Sequence, residues 1–556
     1  MTICIQYAQP SSGQAEGEVF GLDVAVNNFL GAWFRHGTTD NFYCRPVDLP
    51  SFEHFKDLAR AAGIDADKRC VGLHPNYPKE NLEKITCIFR PDPLIADLIW
   101  KRRQLSGGGY AACGLVHTMS GERIARAVGE AMLAPSDGAD ALICPSAAIR
   151  DAVRTLWEIH ADYYNYRFKS DFRCPVDTPV IPLGIDTEKF ARLTTAEKRA
   201  AQRSALGASA DEIVVLFVGR LSFATKAHPL PLWLAMERAT KATNKKLRLV
   251  MLGYFKPKDM ETHFRNLAAD IVKSFKLDFI MNDDPRFPEG LWAGADIFVS
   301  LSDNVQESFG LTPIEAMAAG LPAIVTDWDG YRDGVRDGKD GFLIPTTAPP
   351  PTAGQLLAET YYNQNNYGVA LMAAAQSTAL DINRCAEAVR ALAEDGDKRA
   401  AMGKSGRAHA QATFDWRHVI RAYEELWRDL ATRRRAAPNW MLVPPAWPAA
   451  HPAYPNPLHM FEGFPRRTLI SDDRIRVIMN AAEIDVVLKH EMNFFVPEVL
   501  VDRNSMRALI ESIRKAGEAR IADILAAFPA PEHPRIWRCL GWMLKHGVCE
   551  QGAKAV

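Results

Sequence analysis

Short apolar, β-branched runs alternate with longer amphipathic stretches along most of this chain, and few folds accept such a pattern. The runs Ile3–Tyr7, Cys87–Phe89, Ala141–Cys144, Ile213–Val218, Leu247–Leu252, Phe279–Met281, Ile297–Leu301 and Ala323–Val325 read as strands. Stretches such as Leu22–Phe34 and Leu230–Thr240 read as helices between them. Strands separated by helices form parallel sheets covered on both faces, so the fold class is α/β. A chain of 556 residues also exceeds what one core organises, which predicts two or three domains.

The series breaks near residues 183–212. Ile181-Pro182-Leu183-Gly184-Ile185-Asp186 ends one strand series, a Lys/Arg/Ala-rich helix follows, and Gly207–Asp211 opens the next. Two α/β domains are expected, at 1–185 and 186–411, the second ending in a helical region within 352–432. Residues 412–435 form a separate closing helix. From 436 to 470 the chain carries Pro438, Pro444, Pro445, Pro448, Pro452, Pro455, Pro457 and Pro465 among Trp440, Trp447, Tyr454 and Phe461. Proline at this density forbids a long helix, so an extended strap lying on a surface is expected. Residues 471–556 read as a mainly helical accessory module, with helical patterns at Arg474–Leu488 and Met506–Phe528. Its last stretch, Ile536–Val548, has the pattern of a small helix-turn-wing unit, with Ile536, Leu540, Met543 and Leu544 facing a core.

Composition narrows the function classes. Apolar residues make up 47% and charged residues 24%, the balance of an ordinary globular protein. A formal net charge of −1 lacks the basic excess of a general nucleic-acid binder, so no nucleic-acid partner is expected. No run approaches eighteen apolar residues, and Met1–Pro10 lacks a signal-peptide pattern, which makes the expected location cytoplasmic. The ten cysteines are scattered without a C-x-x-C pair and read as reduced thiols.

The densest chemistry lies in Gln306-Glu307-Ser308-Phe309-Gly310-Leu311-Thr312-Pro313-Ile314-Glu315-Ala316-Met317-Ala318-Ala319-Gly320. It reads as a strand exit, a glycine turn and a helix. Thr312 is expected as N-cap, Pro313 at the first helical position, Glu315 closing a capping box, and Gly320 just past the helix end. The free amides and positive end of such a helix, at the C-terminal edge of a parallel sheet, form a phosphate site.

Glu307 and Glu315, seven residues apart around Phe-Gly-Leu, resemble the E-x7-E motif of family-4 retaining glycosyltransferases of group 1. Those enzymes have the GT-B fold, two Rossmann-like domains facing across a cleft. The resemblance implies that Glu307 touches the donor sugar and that Ser308 lies in the donor site. It further implies that amides from Phe309 through Gly310 and Leu311 to Thr312 hold the distal phosphate, and that Glu315 binds the ribose hydroxyls. Val215–Leu221 ends in Gly219-Arg220 with Lys226 six residues later, and two cations at a strand exit can neutralise a diphosphate. The family has this Arg and Lys at this spacing. Val180–Phe190 resembles its inter-domain crossover, Asp329–Ile344 the turn-rich end of its donor domain, and Phe414-Asp415-Trp416 with the helix to Leu430 its closing helix.

On the acceptor side, Phe20-Gly21 stands where the family usually has Gly-Gly, so Gly21 is expected near the donor phosphate. Gly114-Leu115-Val116-His117-Thr118 reads as a strand ending in a histidine that the resemblance places beside the reacting sugar. The aromatic and basic run Tyr163–Lys169 is read as a helix face packed on the other domain, with sugar stacking or membrane contact as alternatives. The expected activity is therefore hexosyl transfer from a nucleotide diphosphate sugar, with no cofactor and no metal. The acceptor, whether glycan, lipid or protein, stays open, as do peripheral membrane contact and self-association through the C-terminal module. Asp327-Trp328-Asp329 and Asp65-Ala66-Asp67 match the Asp-x-Asp of metal-dependent GT-A enzymes, but three-residue patterns are weak. An epimerase of the same fold and a silent nucleotide-sugar sensor are the other readings.

Overall fold

The computed structural model describes residues 2–9, 21–73, 82, 84–103, 109–257, 259–364, 367–436 and 454–552. The chain divides into two units, Met1–Tyr454 and Pro455–Val556.

The first unit holds two six-stranded parallel sheets. The N-terminal sheet comprises β1 (Ile3–Tyr7), β2 (Phe42–Pro46), β3 (Cys70–Gly72), β4 (Cys87–Arg90), β5 (Ala111–Leu115) and β6 (Ala141–Ile143). Its spatial order is β3-β2-β1-β4-β5-β6. The second sheet comprises β7 (Glu212–Leu221), β8 (Lys246–Phe255), β9 (Lys276–Met281), β10 (Ile297–Ser300), β11 (Ala323–Thr326) and β12 (Gly341–Ile344), ordered β12-β11-β10-β7-β8-β9. Both are doubly wound sheets, with strand order reversing between β1 and β4 and between β7 and β10. The strands β2 and β3 carry at most three consecutive apolar residues, Phe42-Tyr43-Cys44 in β2. One contains Arg45 and ends at Pro46, and the other is three residues long.

Each sheet is covered on both faces. One face of the N-terminal sheet packs on Phe29, Leu30 and Trp33 of the helix Gly21–His36 and on Phe55. The opposite face packs on Ile99, Val128, Met132, Val153 and Trp157. In the second sheet, Trp233, Met236, Val389 and Leu392 cover one face, and Phe190, Ile314 and Met317 the other.

Two chain crossings join the domains side by side. Ile185 donates its N–H to Phe414 O at 2.8 Å, and Trp416 donates back to Ile185 O at 3.2 Å. Thr187 Oγ1 donates to Asp415 Oδ2 at 2.5 Å. Gly184 is required here, since a Cβ on it would lie 2.3 Å from the Trp416 ring. The helix Trp416–Ala436 then lies on the N-terminal domain, burying Trp416, Tyr423 and Trp427 in that domain's core. Glu424 accepts from Thr38 N and Oγ1, both at 2.8 Å, and Arg434 pairs with Asp137.

After β12 the chain makes an excursion closed at its base by β13 (Thr346–Thr347) pairing antiparallel with β14 (Ala379–Leu380). It carries the helices Gln355–Gln364 and Tyr367–Gln376.

The second unit is mainly helical around its own core, which includes Ile475, Ile484, Met506, Ile510, Ile521, Ile536, Leu540 and Met543. It also has a small antiparallel sheet of β15 (Arg474–Val477), β16 (Glu518–Arg520) and β17 (Cys549–Gln551), ordered β16-β15-β17. This corrects two expected helices. Arg474-Ile475-Arg476-Val477 alternates with period two and forms a strand, so the helix starts only at Ala481 behind the Asn480–Glu483 capping box. The pattern Met506–Phe528 is broken by Gly517, whose φ of 74° ends the helix Arg503–Ala516. The helix His533–Lys545 ends before Gly547 and runs into β17. Leu544 packs against this core while partly buried, as the pattern predicts, and Trp542 joins it.

Other expectations also change. Trp440 and Trp447 lie outside the described residues, while Tyr454 and Phe461 are exposed, and Pro457–Met460 forms a helical turn. Tyr163, Tyr166 and Phe168 are exposed at the end of the helix Ala147–Phe168, so that face is not packed on the other domain. None of the ten cysteines is disulfide-bonded. No helix among the described residues is long and apolar enough to cross a membrane.

Two predictions follow from this packing. Arg102 and Asp140 form a buried bidentate pair, with Nη1 to Oδ1 at 2.5 Å and Nη2 to Oδ2 at 2.8 Å, and Asp140 also accepts from Ala112 N. Asp140→Ala strands a buried guanidinium and is expected to destabilise the N-terminal domain by about 3–5 kcal/mol in denaturant unfolding. Wild-type stability would remove the pair from the domain's support. Residues 455–556, expressed alone, are expected to give a cooperative thermal transition by circular dichroism, because their core is self-contained. A featureless melt would show that this core depends on the rest of the chain.

Candidate active site

Ligand sites of doubly wound sheets lie beyond the strand C-termini where strand order reverses. In the second sheet that point falls between β7 and β10; Arg220 is the penultimate residue of β7, and the segments following the two strands carry Lys226 and Glu307. Buried polar groups knit the two exits together. Asn304 Nδ2 donates to Ala224 O at 2.7 Å, Ser302 Oγ to Lys226 O at 3.2 Å, and His228 N to Asp303 Oδ2 at 3.2 Å. Burial pushes the Asp303 carboxyl up to about 7, against the pull of this bond.

A cavity of about 410 Å3 opens at this point. Ala25, His117, Thr118 and Leu183 line it from the first domain, and Arg220, Tyr254, Lys256 and Gln306–Leu311 from the second. The structure thus brings His117, Arg220, Glu307, Ser308, Phe309, Gly310 and Leu311 to one space. Lys226 lies behind Glu307 instead of on the wall. Its Nζ contacts Glu307 Oε2 and reaches Tyr331 OH at 3.2 Å, with both side chains of the ion pair 14% exposed. Burial opposes both charges, but each outweighs that cost for the other. Lys226 is held above its ordinary range, and Glu307 is held below its own.

Sequence reasoning missed Tyr331. Its ring is 1% exposed, and its hydroxyl lies 2.8 Å from Ser300 Oγ and 3.3 Å from Glu307 Oε2. A tyrosine following the turn residues Asp329-Gly330 gives no periodic signal, and only the fold places it beneath the ion pair. Its ring also explains Gly310, where a Cβ would lie 2.0 Å from it and where φ is 85°.

Gly310, not Thr312, is the N-cap of the helix Leu311–Ala318, and no side chain caps that helix. The expected capping box is therefore absent. Thr312 lies inside the first turn with its Oγ1 buried and unpartnered, and Pro313 follows as the third helical residue rather than the first. The capping reading failed because the left-handed glycine starts the helix two residues early. The consequence is an uncapped positive helix end at the cavity, with no backbone carbonyl among the described residues accepting from the amides of Phe309 to Thr312. Gly320, at φ 83°, ends the helix as expected.

Glu315, freed from capping, is half-buried and has no hydrogen-bond partner among the described residues. Burial pushes its carboxyl up to about 7, against a weaker pull from Lys189. His117 lies two residues beyond β5 instead of ending it. Its Nε2 is 3.0 Å from Pro91 O, a carbonyl that can only accept, so Nε2 carries the proton and Nδ1 is an acceptor. Burial lowers its pKa to about 4, so the ring is neutral near pH 7. Gly21 is the first residue of its helix, and its neighbour Phe20 lies outside the described residues.

The two domains touch beside this cavity. Ser146 Oγ donates to Ser308 O at 2.8 Å, and Ala147 N to Asp333 Oδ2 at 2.6 Å, so the start of one N-terminal-domain helix seats on the Glu307 loop. The Asp-x-Asp residues have local partners. Asp327 pairs with Arg332, while Asp65 and Asp67 pair with Lys68 and Arg60.

Residues 198–357, which carry the second wall of the cavity, match the family described as glycosyl transferases group 1. The D-inositol 3-phosphate glycosyltransferase of Kineococcus radiotolerans is 28% identical over 480 residues, spanning 78% of this chain and 95% of that protein. The enzyme of the same name from Geodermatophilus obscurus is 28% identical over 481 residues, spanning 79% and 92%. Residues 198–357 therefore carry a group 1 glycosyltransferase domain. Anabaena Alr3699/HepE, solved in complex with UDP, superposes with a TM-score of 0.51 at 17% identity, covering 77% of this chain and 100% of that one. The two facing sheets are accordingly the GT-B fold, and the matched domain together with the curated relatives supports a hexosyltransferase.

The raised pKa of Glu315 makes a stability prediction for the ligand-free glycosyltransferase. A carboxyl raised in the folded state adds stability that is fully present below its unfolded pKa near 4.5 and is lost as pH rises through about 7. From pH 8 to pH 5.5 the wild type should therefore gain about 2 kcal/mol relative to Glu315→Gln in denaturant unfolding. Parallel pH profiles for the two proteins would contradict it.

Proposed function

We propose that this glycosyltransferase moves a hexosyl unit from a nucleotide diphosphate sugar to a hydroxyl acceptor, without a metal and with retention of configuration. The observation that carries this reading is the convergence of Arg220 and the uncapped helix Leu311–Ala318 on one cavity at the β7/β10 switch point. A guanidinium and free amides suit a diphosphate, and they act most strongly on the charge that grows as the sugar–phosphate bond breaks. Lys226 adds a further cation one layer back. Glu315 sits in the next turn of the same helix, where its carboxylate can accept from ribose hydroxyls.

Glu307 is ionised and fixed by Lys226 and Tyr331, which suits it to stabilise positive charge at the sugar ring. His117 faces the cavity from the other domain as a neutral group whose Nδ1 can accept from a sugar hydroxyl. With Glu307 committed to this pair, the departing phosphate is left as the base for the acceptor hydroxyl on the same face, which favours retention. Solved Anabaena Alr3699/HepE binds UDP, and the curated relatives are named for inositol 3-phosphate. Both support a uridine diphosphate sugar and a polyol acceptor as the first substrates to try.

Nucleotide sugars incubated with the protein should show slow release of one nucleoside diphosphate, unchanged by EDTA, and an α-linked first product by proton NMR. Release that requires a divalent cation, or a β-linked product from an α donor, would refute the reading. Arg220→Ala is expected to weaken nucleoside diphosphate binding by about 1.5–3 kcal/mol, roughly 10- to 100-fold, in calorimetry. Lys226→Ala should lower turnover as well, because it also frees Glu307. Unchanged affinity in the first variant and unchanged rate in the second would remove these residues from the donor site.

A further inference from the structure

The excursion between β12 and the helix Ile382–Glu394 leaves the second domain and reaches the first. Its helix Gln355–Gln364 places Tyr361 OH 2.7 Å from Glu122 N, which donates to it. Glu122 begins the helix Glu122–Leu133, whose N-cap, Gly121, has no side chain to satisfy that amide. Tyr361 thus supplies from the other domain the cap that this helix lacks.

Arm and helix enclose a recess of about 740 Å3 walled by Glu122, Arg126, Ala358, Tyr361, Tyr362 and Asn363. Arg126 Nη2 lies 2.5 Å from Glu122 Oε1. Tyr362 is 86% exposed, an extreme position for so large an aromatic ring. An open aromatic face beside a guanidinium, a carboxylate and a carboxamide matches the chemistry of a sugar ring. The C–H face stacks on the aromatic ring, and vicinal hydroxyls pair with planar polar groups. Thr118 lines the main cavity and Glu122 lines the recess. Glu122 is four residues on from Thr118, so their backbones are at most about 14 Å apart. An acceptor a few rings long can occupy both.

We propose that this recess is an acceptor subsite for a sugar ring or comparable polyol. Tyr362 is the stacking platform, Arg126, Glu122 and Asn363 are hydroxyl partners, and Tyr361 locks the arm to the first domain. Its catalytic meaning rests on the glycosyl transfer proposed above, while its ligand chemistry is independent of it. The subsite is built from both domains and is complete only while the arm meets Glu122.

Saturation-transfer NMR on the full chain, with methyl α-D-glucopyranoside, methyl α-D-mannopyranoside and myo-inositol as probes, tests it directly. At least one probe should bind the wild type, and Tyr362→Ala or Arg126→Ala should weaken that binding about tenfold, the scale of one lost ring contact or hydrogen bond. Arg220→Ala should bind the probe as the wild type does, so a failed donor site would leave this result standing. Tyr362→Ala should melt at the wild-type temperature, because its side chain is solvent-exposed. Absence of binding by all three probes, or wild-type binding in both recess variants, would overturn the subsite.

Discussion

The bridge between Ile185 and the Phe414–Trp416 segment is the constraint on which the rest of this architecture depends. The chain enters the second domain at one strand of that bridge and leaves at the other, so the two domains share a single narrow hinge. Asp415 is locked there by Arg417 and Thr187, which hold its carboxyl down to about 2 although burial opposes them. The closing helix then inserts three aromatics into the N-terminal core. That domain is therefore completed by residues from beyond the second one. A cavity walled by both domains is a natural product of this connectivity.

Within that cavity the decisive arrangement is a buried charge pair whose two members face different tasks. Lys226 neutralises Glu307, and Tyr331 bridges them from below, so the loop after β10 holds its shape without a ligand. A pair of this kind adds little net stability, because desolvation offsets most of its attraction. Its value lies in orientation. The glutamate is kept charged and aimed, and the positive end of the neighbouring helix stays uncapped because Gly310 offers no side chain. The glycine is itself dictated by the ring of Tyr331, so one aromatic residue shapes both the carboxylate and the helix end.

The apolar runs were legible because strands buried between helix layers must be apolar throughout, and each of the eight coincides with an observed strand, only Cys144 and Leu301 falling one residue past its end. Gly320 was legible because a left-handed helix end has few other solutions. The start of the same helix was misread. Ser, Thr and Asp are such frequent caps that Thr312 outweighed the glycine two residues earlier, and only tertiary contact with Tyr331 shows why a glycine is there. The strands β2 and β3 were hidden for a related reason, since a short strand inside a sheet is defined by its neighbours more than by its own residues. In the C-terminal module, four residues of strict alternation in Arg474–Val477 were read at helical spacing because a helix follows at once. The cluster of Lys226, Glu307 and Tyr331 joins three segments that no local pattern connects.

The clasp formed by β13 and β14 brings the two ends of the arm into direct register, Thr346 opposite Leu380 and Thr347 opposite Ala379. A segment whose ends already meet imposes almost no geometric demand on the domain that carries it, and lengthening it adds only a slowly growing closure entropy. The arm is therefore an evolvable cassette. It can be shortened, extended or exchanged while β12 and the helix Ile382–Glu394 keep their positions, and a donor domain of fixed design can meet new partners across the cleft.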